Sequence, residues 1–121
     1  MTKEELKKRT KLFAVNVFHF LMALEKNKAV DVVSYQLFKS SSSVAANYRA
    51  VCRGKSDADF LNKLKIVDEE ADESLFWLEF IKDLEIKCDS ATLEKLIKEA
   101  DELTAIFSAG IRTIKERNNK K

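Results

Sequence analysis

No proline interrupts these 121 residues, and only two glycines occur, Gly54 and Gly110. Average usage would place roughly 6 prolines and 8 glycines in this length. Hairpins draw on glycine for their left-handed positions, so a fold of many short strands is excluded. What remains is a chain built from long helices with few turns. Hydrophobic residues make up 45%, enough for a core, and the 35% that are charged suit long solvated helix faces. A net charge of +2 beside that apolar content argues against disorder. The length fits one domain over residues 1–121.

Periodicity and punctuation divide the chain into four helical blocks, at about 3–25, 30–53, 57–86 and 90–117. Glu4 and Glu5 suit the positive end of the first, and Asn27 marks the break after it. Gly54 is placed to end the second as a C-cap. Ser56 and Asp59 have capping-box spacing at the start of the third, and Asp89-Ser90 can cap the fourth. The tail from Asn118 to Lys121 is expected to fray. Long helices with short connections pack as antiparallel neighbours, so the expected fold is all-α, an antiparallel up-down-up-down four-helix bundle. The run Ser40 to Ser43 lies inside the second helix. There it permits close helix approach and back-bonding to the preceding turn.

The apolar run Leu12 to Leu24 is interrupted by Asn16 and His19 and is shorter than the ~18 residues of a membrane span. It predicts a buried helix and no membrane association. Cys52 and Cys88 form no C-x-x-C pair, so no disulfide framework is expected and the natural setting is a reducing cytoplasm.

The apolar pattern is wider than a lone bundle needs. In the third helix Phe60, Leu64, Val67, Ala71, Leu75 and Leu78 form the core stripe, and Phe76, Trp77, Phe80, Ile81 and Leu84 stand beside it. The first helix has Phe13, Val17, Phe20 and Leu24 on one side and Leu12, Val15, Phe18 and Met22 elsewhere. A helix that is apolar all round must be covered on more than one face, which points to subunit contacts. Phe76, Trp77 and Phe80 are the predicted oligomer interface, with the outer residues of the first helix as the alternative.

Residue chemistry gives little to a catalyst. His19 is the one histidine, which removes paired Glu-x-x-His di-metal sites, zinc sites and most nucleophile–base pairs. No glycine-rich loop is present to hold phosphates. No catalytic residue, metal or cofactor is expected, and His19 is expected to be a partly buried packing residue. Residues 1–56 carry eleven basic and four acidic groups, and residues 57–88 carry four and ten. A basic second helix beside an acidic third predicts ion pairs between them or between subunits. Lys7, Lys8, Arg9 and Lys11 near the start, and Arg112, Lys115, Arg117, Lys120 and Lys121 near the end, should share one pole of the bundle. That pole is a candidate for RNA or DNA contact.

Three segments occur in order: S-x-x-x-N-Y-R-A from Ser43 to Ala50, D-F-x-x-K-L from Asp59 to Leu64, and E-E-A-D-E-x-x-x-W-L from Glu69 to Leu78. Together they resemble a family of four-helix bundle proteins first known from reading frames in intervening sequences of bacterial 23S ribosomal RNA genes. The resemblance spans about residues 10–115. It implies a homopentamer without established enzymatic activity, in which Asn47, Tyr48, Arg49, Asp59, Phe60, Lys63, Glu69, Glu70 and Glu73 serve structure. The family is also similar to the accessory variability protein of diversity-generating retroelements, a strongly basic pentamer that binds a reverse transcriptase and nucleic acid. The near-balanced charge here departs from that relative. The expected role is a non-enzymatic oligomeric scaffold or interaction module with itself and a protein as partners. The alternative is an accessory protein acting on RNA or DNA through the basic pole, with a reverse transcriptase or ribosomal RNA.

Overall fold

The computed structural model describes residues 1–119 as four helices, α1 (Lys3–Met22), α2 (Lys28–Val51), α3 (Asp57–Asp83) and α4 (Ser90–Asn119). Each helix packs on its neighbours in chain order and α4 closes back on α1, while among the described residues no backbone approach joins α1 to α3 or α2 to α4. This is the antiparallel bundle the periodicity predicts. The core is one cluster running the length of the bundle, from Leu6, Phe13 and Val17 through Leu37, Val44 and Tyr48 to Leu78, Leu103 and Phe107.

Side-chain oxygens start three of the helices by accepting a backbone N–H three residues on. These are Thr2 from Glu5 at 3.0 Å, Asn27 from Val30 at 3.0 Å and Ser56 from Asp59 at 3.1 Å. Asp89 caps α4, accepting from the Ala91 and Thr92 amides and the Thr92 hydroxyl. Such caps satisfy amides that have no partner inside the helix. The capping-box reading of Asp59 is only half right, because its carboxylate accepts from the Lys55 amide at 3.4 Å rather than from Ser56.

The helix ends differ from the sequence reading. α1 stops at Met22 rather than Glu25, because the amides of Ala23 and Leu24 turn to the carbonyls three residues back and tighten the last turn. α2 starts at Lys28, just after its Asn27 cap, and ends at Val51. Gly54 is no left-handed C-cap, since no glycine here has positive φ. It keeps the turn close instead: a Cβ there would meet the Val51 carbonyl oxygen at 3.2 Å and Asp59 Oδ2 at 3.4 Å. The left-handed residue is Glu85 at φ 56°, which ends α3 three residues before Ile86. The Ile86 amide then bonds back to the Ile81 carbonyl at 3.3 Å, a Schellman-type closure. A non-glycine residue in this conformation costs about 1 kcal/mol. Glu85→Gly is therefore expected to raise stability by about 0.5–1 kcal/mol, read from the urea midpoint. Asn118 and Asn119 continue α4 rather than fray, and Lys120 and Lys121 lie outside the described residues.

The core stripe of α3 also shifts. Leu64, Val67, Ala71 and Leu78 are buried as expected, but Ser74 and Ile81 join them while Phe60 and Leu75 are half-buried. Ser74 explains the shift. Its hydroxyl meets the Ser40 hydroxyl at 2.9 Å across the α2–α3 seam, and both are fully buried. Ser40 donates to the Leu37 carbonyl, and the one Ser74 proton is shared between Ser40 Oγ and the Glu70 carbonyl, so neither hydroxyl is left unsatisfied. Close approach, the expected role of the serine run, is what this pair provides. Among the described residues no helix is long and apolar enough to cross a membrane.

Candidate functional site

The structure places the predicted site residues in three regions. The motif residues are a framework. Tyr48 is buried with its ring 5.8 Å from Phe107, and burial beside Cys52 pushes its phenol up to about 12. Asn47 donates to the backbone and hydroxyl of Ser43, one turn back on its own helix. Asp59 pairs with Lys63 one turn on at 3.1 Å, and Phe60 lies under the Lys3 ammonium at 5.0 Å. Arg49 is exposed and lines a groove between α1 and α2.

No close ion pair joins α2 to α3 among the described residues; that seam has the two serine hydroxyls and, on Glu70, a hydrogen bond with Ser43 and the charge of Lys39. The inter-helix pairs run elsewhere, from α1 to α4 and from α3 to α4. Arg9 binds Glu99 through two bonds of 2.8 and 2.6 Å, and the same guanidinium reaches Glu102 at 2.7 Å. The Glu99 bonds raise the Arg9 pKa further above its ordinary value. Lys82 pairs with Glu94 at 2.7 Å and Arg117 with Asp57 at 3.1 Å. On α3, burial raises Glu70 and the charge of Glu73 adds to it, while Glu69 and Glu73 are exposed.

Asp68 is raised in the same way, first by burial and then by Asp72 and Glu69, against a hydrogen bond from Ser108. Because its folded pKa lies above the unfolded one, ionised Asp68 costs stability at neutral pH, and the cost vanishes as pH falls below its range. Asp68→Asn should therefore stabilise at pH 7, by well under about 1 kcal/mol for a screened, half-exposed group. The gain over wild type should shrink when melting is repeated near pH 3.5.

The basic pole is only partly assembled. Lys3 and Arg117 line one cleft with Leu6, Gly110 and Ile114, so the start of α1 and the end of α4 do meet. The cations, however, point to different sides. Lys7 and Lys11 line the α1–α2 groove, Lys8 is exposed, and Arg9 is committed to α4. Lys7 also pairs with Glu4 at 3.0 Å. Lys8, Lys11, Arg112 and Lys115 are exposed and make no ion pair with the described residues.

The third region is apolar. Phe76 is 53% exposed, and Trp77 and Phe80 are half-buried against the core. The three rings form one ridge, with Phe76 edge-on to Trp77 at 4.9 Å and stacked on Phe80 at 5.6 Å. The indole N–H of Trp77 is buried without an acceptor among the described residues, so its ring and not its N–H serves the surface. A second apolar face lies across α1 and α2. Leu12, Val15, Phe18 and Met22 are exposed on α1, as the all-round pattern suggested, and Val32, Tyr35 and Phe38 on α2 were not anticipated. Their signal was available, since these three fall off the period set by Val30, Val33, Leu37 and Val44. Phe18 packs on Phe38 at 5.7 Å, and the groove beside them, of about 670 Å³, is floored by Ala14, Ala45 and Ala46.

His19 is exposed rather than partly buried, packing edge-on to Phe18 at 5.5 Å. It shares a cleft between α1 and α4 with Cys88 and Asp89. Burial and the charge of Asp89 push the Cys88 thiol up, the opposite of what an activated nucleophile requires.

No curated protein matches this chain. Among solved structures it is similar to a protein of unknown function from the S23 ribosomal protein family of Bacteroides thetaiotaomicron, with TM-score 0.81 and 28% identity, over 93% of this chain and 99% of that one. The sequence pattern described as 23S rRNA-intervening sequence protein matches residues 2–109. A four-helix bundle that carries this pattern over nearly its whole length and superimposes on a member of the S23 group belongs to the 23S rRNA-intervening sequence protein family.

Proposed function

We propose that the protein is a self-assembling helical scaffold or interaction module that acts without catalysis. The observation that carries this is the apolar surface left open on two separate faces, the α1–α2 groove and the α3 aromatic ridge. Exposed apolar area of this extent beside a complete core is the mark of an interaction surface. The family resemblance implies five copies. The exposed His19 and the raised Cys88 thiol support a role without nucleophilic chemistry. Light scattering on the purified protein tests the reading: it predicts a mass several times 13.9 kDa at tens of micromolar, and a monodisperse monomer removes it.

A second reading rests on Lys8, Lys11, Arg112 and Lys115, which remain exposed and make no ion pair with the described residues. These four could contact phosphates of RNA or DNA, alone or beside a reverse transcriptase or ribosomal RNA, whereas Arg9 is tied to α4. Phosphate contacts release counterions, so affinity for a structured RNA should fall steeply from low to near-physiological salt. Absence of binding at low salt in an anisotropy titration ends this reading.

A further inference from the structure

We propose that copies of the chain join head to tail, the α3 aromatic ridge of one seated against the Phe18–Phe38 end of the α1–α2 groove of the next. This rests on the self-assembly reading above and adds which faces meet. The groove has Lys7, Lys11 and Arg49 toward one end, alanines between, and Phe18 and Phe38 at the other end, with exposed Met22 and Tyr35 beyond them. Exposed Glu69 and Glu73 precede the ridge of Phe76, Trp77 and Phe80 on α3.

The heights agree as well as the charges. Phe18 packs on Phe38 across α1–α2, and Ser74 bonds Ser40 across α2–α3. Counting from these pairs along antiparallel helices at ~1.5 Å per residue, Phe76 stands level with Phe38 and Phe18. By the same count Phe80 stands level with Met22, and Glu69 with Lys11. Lys11 on the groove thus faces Glu69, and the Phe18, Phe38 and Met22 end faces the aromatic ridge, in the same axial order. A rotation about an axis parallel to the bundle brings one onto the other without sliding. Two different faces meeting in this way make a heterologous contact, which closes into a ring when the rotation permits. Opposed charges at the rim fix register and partner choice.

The test uses two variants at exposed positions, Phe76→Glu on the ridge and Phe38→Glu at the facing end of the groove. Each alone should sediment as a 13.9 kDa monomer with wild-type helicity. Mixed in equal amounts they should stop at a dimer, because one intact ridge meets one intact groove and nothing follows. If wild type assembles while either variant still assembles fully, or stops at a dimer alone, or the mixture stays monomeric, the pairing of faces is wrong. Failure of wild type itself to assemble would instead remove the self-assembly reading. Should a variant lose helicity, zero-length carbodiimide coupling of the assembled wild type decides. Intersubunit amide links should join Lys7 or Lys11 to Glu69 or Glu73, and assembled protein without links between α1 and α3 overturns the proposal.

Discussion

Phe107→Ala is expected to cost about 3–5 kcal/mol, as for other large buried aromatics truncated in cores. Phe107 on α4 is 1% exposed, and its ring meets that of Tyr48 on α2 at 5.8 Å. These two helices have no backbone approach, so the ring pair spans the diagonal of the bundle. Removing one ring empties the centre near the pole where Leu64, Ile106 and Ile114 already border an open cleft. A domain of this size holds about 5–15 kcal/mol in total, so the variant should sit close to unfolding at 37 °C. Urea titration followed by circular dichroism, at one protein concentration because association adds stability, measures the loss. A change below about 1 kcal/mol would mean that the two rings do not hold the diagonal.

Ser40→Leu is the second large effect, at about 3 kcal/mol, while Ser40→Ala should cost less than about 1 kcal/mol. The contrast follows from what the site requires. Ser40 and Ser74 are fully buried with their oxygens 2.9 Å apart, so α2 and α3 approach closely there. Added methylenes have no space and force the helices apart, at about 1–3 kcal/mol for the strain. Leucine would also crowd the Ser74 hydroxyl, although its bond to the Glu70 carbonyl is retained. Alanine keeps the spacing and leaves Ser74 satisfied by that carbonyl, so little is lost. Thermal melts of the two variants, run side by side, separate a requirement for small size from a requirement for the hydroxyl.

The bundle is legible in the residues because its determinants are local. Absence of proline, scarcity of glycine and a helical apolar period leave few other folds, and Thr2, Asn27, Ser56 and Asp89 act at the helix starts through their own side chains. Helix ends are less legible. The stop of α3 depends on Glu85 adopting a left-handed conformation, which residue type does not announce. Charge partners are less legible still. The acidic run on α3 and the basic excess on α2 suggested facing ion pairs, but pairing depends on rotation of each helix about its axis. That rotation turned Arg9 toward Glu99 and put serines on the α2–α3 seam. On the surface, the Phe76, Trp77 and Phe80 ridge and the outer residues of α1 could be named from their excess over one stripe. The groove needs Phe38 of α2 as well, and which side of α2 stays uncovered is set only when α1 docks.

If the bundle is one subunit of the closed assembly we propose, native mass spectrometry, which counts subunits directly, should show a dominant species of five 13.9 kDa chains, about 70 kDa, from near-physiological ammonium acetate. A spectrum holding only the 13.9 kDa chain, at concentrations of tens of micromolar before spraying, would contradict it.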